Sequence, residues 1–190
     1  HQPVGPAGVL GRRCKSHGSR RSGFGSDEGS ASGIHCDLAL KRSSSLKDEL
    51  DSTFERVRRI DHSELELRAD FARYLCVLVS GFLEQSVRNA TADFVKRRAH
   101  TVVANYVVKG TDRIANLKTT KLKEHLVAFD PSWQLQLDAL LTDEAKDAID
   151  SVVALRHGIA HGQPADVTFE RIARYYSEIK RTIAAIQQLS

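Results

Sequence analysis

From residue 45 onward, apolar side chains recur at the three- and four-residue steps of a helix face. Leu46, Leu50, Phe54 and Val57 predict a first amphipathic helix ending near residue 61. Ser63 and Glu66 have the S-x-x-E spacing of a capping box, which predicts a second helix from there to about residue 89. Phe71, Leu75, Leu78, Val79, Phe82 and Leu83 cover more than one face of that helix, so it is expected to be the buried centre of the molecule. Glu84, just past the run, is expected at the exposed end of the helix rather than as a functional carboxylate. Residues 91–109 predict a third helix, or a kinked continuation of the second, stopped by Gly110. A basic connection leads to a short helix over KLKEHLVAF, broken at Asp130 and Pro131, and residues 132–141 suit another short helix. Thr142 is expected to cap a helix ending in RHGIAH, with acidic residues in its first turn and Gly162 and Pro164 past its end. Thr168 then caps a closing helix to about residue 188, with Phe169, Ile172, Tyr176, Ile179, Ile183 and Ile186 inward. No segment alternates as a strand, and no repeat is visible. The pattern predicts an all-α bundle.

Composition changes this picture mainly at the N-terminus. Residues 1–44 hold eight of the 12 glycines, many serines and few large apolar side chains. Such a stretch cannot bury enough surface to offset ordering, so it is expected to be a disordered tail without a function, followed by one helical domain over 45–190. The chain has no methionine, so residue 1 is not expected to be the native start. The net charge of +4 resides in the tail: residues 1–44 carry seven Lys/Arg and three Asp/Glu, and residues 45–190 carry 21 of each. The domain is therefore not a generally basic nucleic-acid binder, and affinity for polyanions must come from a local patch. Residues 94–125 offer one, with eight Lys/Arg against two Asp/Glu, beginning with Lys96, Arg97 and Arg98. Solvated helix surface is the preferred reading for most of these side chains.

The longest apolar run, YLCVLVSGFL, is about half of the roughly 20 residues a membrane span needs. No export signal is visible, and Cys14, Cys36 and Cys76 show no redox or zinc spacing. A cytoplasmic protein without a membrane partner is the expectation. Cys76 is expected to act as a small buried hydrophobe, and Trp133, the single tryptophan, to pack rather than stack bases.

The chemistry concentrates in VVALRHGIAHGQP, residues 152–164. On a helical wheel of about 100° per residue, Ala145, Ala148, Ile149, Val152, Leu155 and Ile159 form one stripe, and Arg156 falls inside it. A charge leaving water needs a partner. Arg156 must meet a carboxylate, a carbonyl, an interface or a ligand, or snorkel out past the helix end. His157 and His161 lie on the far side. As cations near a helix C-terminus they also suit a plain cap. A metal is not expected: Asp150 shares their face, but it sits about 10 Å along the axis from His157. The stretch also lacks the glutamate of the zinc-protease motif. No nucleophile elbow, P-loop or dinucleotide fingerprint is present, and no cofactor is expected.

RHGIAHG has the form R-x4-H, with glycine straight after the histidine, at the end of the penultimate long helix. Here the chain resembles HEPN domains, in particular the RiboL-PSP-HEPN-like branch. ARYLCVLVSGFLEQSVRNATADF resembles the central helix of that branch and VTFERIARYYSEI its closing helix. The likeness covers about residues 45–190. It implies an up-and-down bundle with extra short helices that forms a homodimer, bringing two R-x4-H motifs to one cleft. Many such proteins are metal-independent endoribonucleases of toxin or defence type, with RNA as substrate and a cognate antitoxin or regulatory protein as partner. Carried over, Arg156 and His161 would be catalytic and His157 supporting. Other members are non-catalytic modules that bind a protein or nucleotide ligand, and this is the alternative reading.

Overall fold

The computed structural model describes residues 31–189, with side chains from residue 45 onward. Most of the expected tail, residues 1–30, lies outside the described residues. The described residues form seven α-helices: α1 (Ala31–Arg58), α2 (Leu65–Arg98), α3 (Thr101–Thr111), α4 (Thr119–Val127), α5 (Gln134–Leu140), α6 (Asp143–Ala160) and α7 (Phe169–Leu189). A single 3-10 turn, Pro131–Trp133, precedes α5. No strand occurs among the described residues. The fold is the expected all-α bundle. No helix among these residues is long and apolar enough to cross a membrane.

Helix α2 is the hub and packs against α1, α3, α6 and α7. Ala72, Leu75, Cys76, Val79, Leu83 and Val87 are fully buried and fall within about 120° of its circumference, one broad stripe turned to the core rather than the several faces expected. Helix α1 joins through Leu50, Phe54 and Val57. The Phe54 ring stacks on Tyr176 of α7 with centroids 4.7 Å apart, and Phe82 of α2 meets the same tyrosine edge-on at 5.6 Å. Removing such a ring typically costs about 3–5 kcal/mol, so this three-helix junction is a principal anchor of α1. Arg68, at the start of α2, is buried. It donates to Glu170 of α7 at 2.8 Å and to the Ile60 carbonyl at 3.2 Å, which fixes the α1–α2 turn against the start of α7.

Local chemistry sets several helix ends as expected. Thr142 Oγ1 accepts from the Ala145 amide, and Thr168 Oγ1 accepts from the Arg171 amide. Trp133 is buried, its ring 4.8 Å from that of Phe94. Cys76 is buried too, and burial pushes its thiol up to about 11.

Other expectations are corrected. Helix α1 begins at Ala31, ahead of the apolar pattern that starts at Leu46. Ser63 is not a cap: its amide and hydroxyl both donate to Asp61 Oδ1 at 2.8 Å, and α2 starts after Glu64 without a side-chain cap. Helix α2 does not end near residue 89 but continues to Arg98, because Ala90, Thr91 and Val95 are buried. The break falls at Ala99 and His100, and α3 runs through Gly110 to Thr111.

Asp51 on α1 accepts from Lys47 at 2.7 Å and from Lys180 of α7 at 2.9 Å. Burial works against its charge, but the hydrogen bonds from Lys47, Lys180 and Tyr176 outweigh it and hold its pKa at about 2. The folded value lies below that of an unfolded aspartate, near 4. Its stabilisation is therefore full above about pH 4 and is lost as pH falls through about 2. Asp51→Asn should lower the melting temperature at pH 7 and flatten its decline between about pH 4 and 2. Thermal melts across that range check this, and a variant whose pH profile parallels the parent's would contradict it.

Candidate active site

Helix α6 carries the motif and ends as its glycine requires. Gly162 has φ +68°, a region open to glycine at no steric cost. The Gln163 amide reaches back to the Gly158 carbonyl at 2.9 Å and the Gly162 amide to the Ile159 carbonyl at 3.1 Å. These two bonds satisfy the last carbonyls of the helix and fix the direction in which the chain leaves. His157 and His161 are exposed, their ring centroids 4.4 Å apart.

Arg156 is half-buried, and its partner is a carbonyl of an unforeseen kind. Its Nη1 donates to Asn116 Oδ1 at 3.2 Å. Asn116 lies in the 112–118 connection and has φ 52°, the left-handed region that asparagine tolerates better than most side chains. Its own amide donates to Glu84 Oε1 of α2 at 2.7 Å. A chain of polar contacts thus runs from Glu84 through Asn116 to Arg156. Glu84 is not at an exposed helix end, as its place after the apolar run suggested; it is half-buried in mid-helix.

The connection is stapled from several sides. Ile114 and Leu117 are buried beneath it. The Arg88 guanidinium donates to the Ile114 carbonyl, and Lys121 Nζ donates to the Ala115 carbonyl at 2.8 Å. Asp150 of α6 accepts from the Thr119 amide at 2.7 Å, which caps the first turn of α4. Asp150 is thereby occupied in joining α6 to α4 and does not share a site with His157. Among the described residues, no three His, Cys, Asp or Glu side chains converge as ligands for a metal ion.

Arg156 and the histidine pair do not point the same way. Five residues of helix separate Arg156 from His161, about 140° around the axis, and His157 is about 100° away. The chain therefore presents a guanidinium on one side of the end of α6 and two imidazoles on another. Lys96, Arg97 and Arg98 lie elsewhere, in the last turn of α2, about 18–21 Å along its axis from Glu84. The Arg98 guanidinium sits 4.2 Å over the Phe94 ring. The structure does not bring this cluster beside His161.

Sequence reasoning missed Glu84 and Asn116. Their contact spans 32 residues and uses a backbone amide, which leaves no side-chain signature. The available signal for Glu84 is its register: Tyr74, Val77, Gly81 and Glu84 follow one another along one face of α2.

Fold and site together define an all-helical domain with an Arg/His cluster at the end of its penultimate long helix. The RiboL-PSP-HEPN family pattern matches residues 41–189, and the chain belongs to this HEPN family. Neither the curated proteins nor the solved structures give a significant match.

The cap geometry separates the two motif glycines. A Cβ at Gly158 would make only ordinary contact, 3.5 Å from Gln163 Oε1, whereas any side chain at Gly162 is strained by its φ. Gly162→Ala should cost about 1–2 kcal/mol. At about 2–4 °C per kcal/mol for a chain of this size, its melting temperature should drop several degrees. Gly158→Ala should hold or raise it, since alanine is favoured inside a helix by up to about 1 kcal/mol. Equal shifts of the same sign in calorimetry would contradict this picture.

Proposed function

We propose that the protein is a metal-independent endoribonuclease of toxin or defence type, working as a homodimer whose two R-x4-H motifs share one cleft. The observation that carries the reading is the Glu84–Asn116–Arg156 chain at the same helix end as an exposed pair of histidines. A lone helix cap has no use for an arginine held by a stapled loop.

The reaction needs three things. A ribose 2′-hydroxyl attacks the adjacent phosphorus, and its proton passes to a base. The bond from phosphorus to the 5′-oxygen breaks, and that oxygen takes a proton from an acid. Charge on the non-bridging oxygens must be stabilised in between. Histidine side chains exchange protons near neutrality and suit the first and second roles. The planar fork of the Arg156 guanidinium can reach two phosphate oxygens at once. Asn116 occupies one of its N–H groups and leaves others for the substrate. Glu84 is a positioning residue: it holds the amide of Asn116, and through it Arg156.

Two features support a shared cleft. Arg156 and the histidines diverge around α6, so a second copy can complete what one protomer splits apart. Tyr74 and Val77 are also large apolar residues left exposed on α2, at 52% and 39%. Gly81 follows them on the same face with nothing within 4 Å of a Cβ built there. Glycine in mid-helix costs about 0.5–1 kcal/mol against alanine, and no contact among the described residues explains it. Close approach of a second helix along this stripe does, and the stripe leads to Glu84.

Purified protein incubated with RNA in EDTA should cleave it. His161→Ala should slow cleavage by about 10²–10⁴-fold, the usual worth of a general acid or base. Arg156→Ala should slow it comparably and weaken RNA binding. His157→Ala should do less. Glu84→Ala should lose more than Glu84→Gln, which keeps an acceptor for Asn116. Sedimentation should report about twice the 21.1 kDa chain mass. Full activity in His161→Ala, or a strict monomer with RNA present, would remove this mechanism and leave the helix-cap reading.

A further inference from the structure

Between α3 and α4 lies an open groove of ≈ 690 Å³. Tyr106 and Lys109 line it from α3, Lys121, His125 and Phe129 from the α4 side, and Arg113 from the connection. Among the described residues that line it, none is Asp or Glu. That departs from the rest of the domain, where residues 45–190 carry 21 charges of each sign. Glu124, the acid of α4, faces a neighbouring cavity together with Lys123 and Asp138. His125 Nε2 lies 3.1 Å from Thr91 Oγ1, and burial lowers its pKa, so Lys109, Arg113 and Lys121 supply the positive charge. Tyr106 is 82% exposed, a large aromatic ring with no place in the core.

The groove connects two regions the sequence analysis singled out separately. At one end, Lys121 donates to the carbonyl of Ala115, the neighbour of Asn116, which holds Arg156. At the other end, Phe129 meets Phe94 edge-on at 6.3 Å, and Arg98 lies over Phe94. Between Lys121 and Phe129 the wall spans about 12 Å.

We propose that this groove holds the single-stranded RNA segment adjoining the scissile phosphate, with Lys109, Arg113 and Lys121 on successive phosphates and a base stacked on Tyr106. Cationic grooves with aromatic platforms bind single strands in this way. The assignment rests on the ribonuclease reading above.

The test uses the full chain carrying His161→Ala, so that RNA survives the measurement, and a short fluorescein-labelled oligouridylate followed by anisotropy. In this background Tyr106→Ala should weaken binding about tenfold, a value within the usual worth of one stacked base. Lys109→Ala with Arg113→Ala should lower the slope of log affinity against log salt by about 1.4, since each single-strand phosphate contact contributes about 0.7. Arg181→Ala, a charge loss on the exposed face of α7, should change neither. Groove variants that bind like their parent would overturn the proposal, as would an Arg181→Ala loss of equal size. So would polyglutamate binding as tightly as the oligouridylate with Tyr106→Ala affecting neither, which would assign the groove to an acidic protein. Conversion of a dimer to a monomer by Tyr106→Ala would assign α3 to a subunit contact and also overturn it. Groove-dependent binding without cleavage by the unsubstituted chain would keep the groove as an RNA site and remove the nuclease reading. Cleavage by that chain with groove variants that bind normally would do the reverse.

Discussion

Helix α2 cannot stand in water, and the rest of the molecule is arranged to cover it. Six of its apolar side chains between Ala72 and Val87 have no exposed surface, and they form one continuous stripe about 120° wide. Helices α1, α3, α6 and α7 each pack against α2. This constraint places the candidate site. Because α6 must lie along α2, its last turns come to rest beside the connection that returns from α3. Because that connection crosses α2, Glu84 can hold it. The motif at the end of α6 therefore acquires a partner from a segment that reads in isolation as an unremarkable basic loop.

The same arrangement explains which parts of the structure were legible in the sequence. Thr142, Thr168 and Gly162 act within a few residues of themselves, through a hydroxyl on a nearby amide or a left-handed φ, so their spacing was enough. Ser63 had the right spacing and failed because Asp61, two residues away, takes both its amide and its hydroxyl. The end of α2 was missed because nothing local stops it at residue 89. Burial of Ala90, Thr91 and Val95 by other elements carries it on to Arg98. The arginine within an apolar stripe correctly announced a partner, but only the folded chain identifies Asn116 as that partner. Glu84 was misjudged for a related reason: its ligand is a distant backbone amide, and its half-buried place depends on how the loop returns.

On the proposed function, structural and chemical roles overlap at the end of α6. Gly162 ends the helix and sets the exit of the chain, while His161, just before it, is left in water beside His157. Stability and chemistry should therefore respond to different substitutions within one short stretch. The geometry of one protomer separates guanidinium from imidazole, and a symmetric pair offers a direct way to unite them. In the proposed dimer, the exposed stripe through Tyr74, Val77 and Gly81 is the surface on which the pair would form.

The central claim is that this constellation cleaves RNA by internal attack of the 2′-hydroxyl. The most direct measurement is mass spectrometry of the ends left on a defined oligoribonucleotide cleaved in EDTA, alongside the same strand with a single 2′-deoxy nucleotide at the cut. The account predicts a 2′,3′-cyclic phosphate on one fragment, a 5′-hydroxyl on the other, and no cleavage at the deoxy position. Fragments with 5′-phosphates, or a cut that ignores the missing hydroxyl, would contradict it.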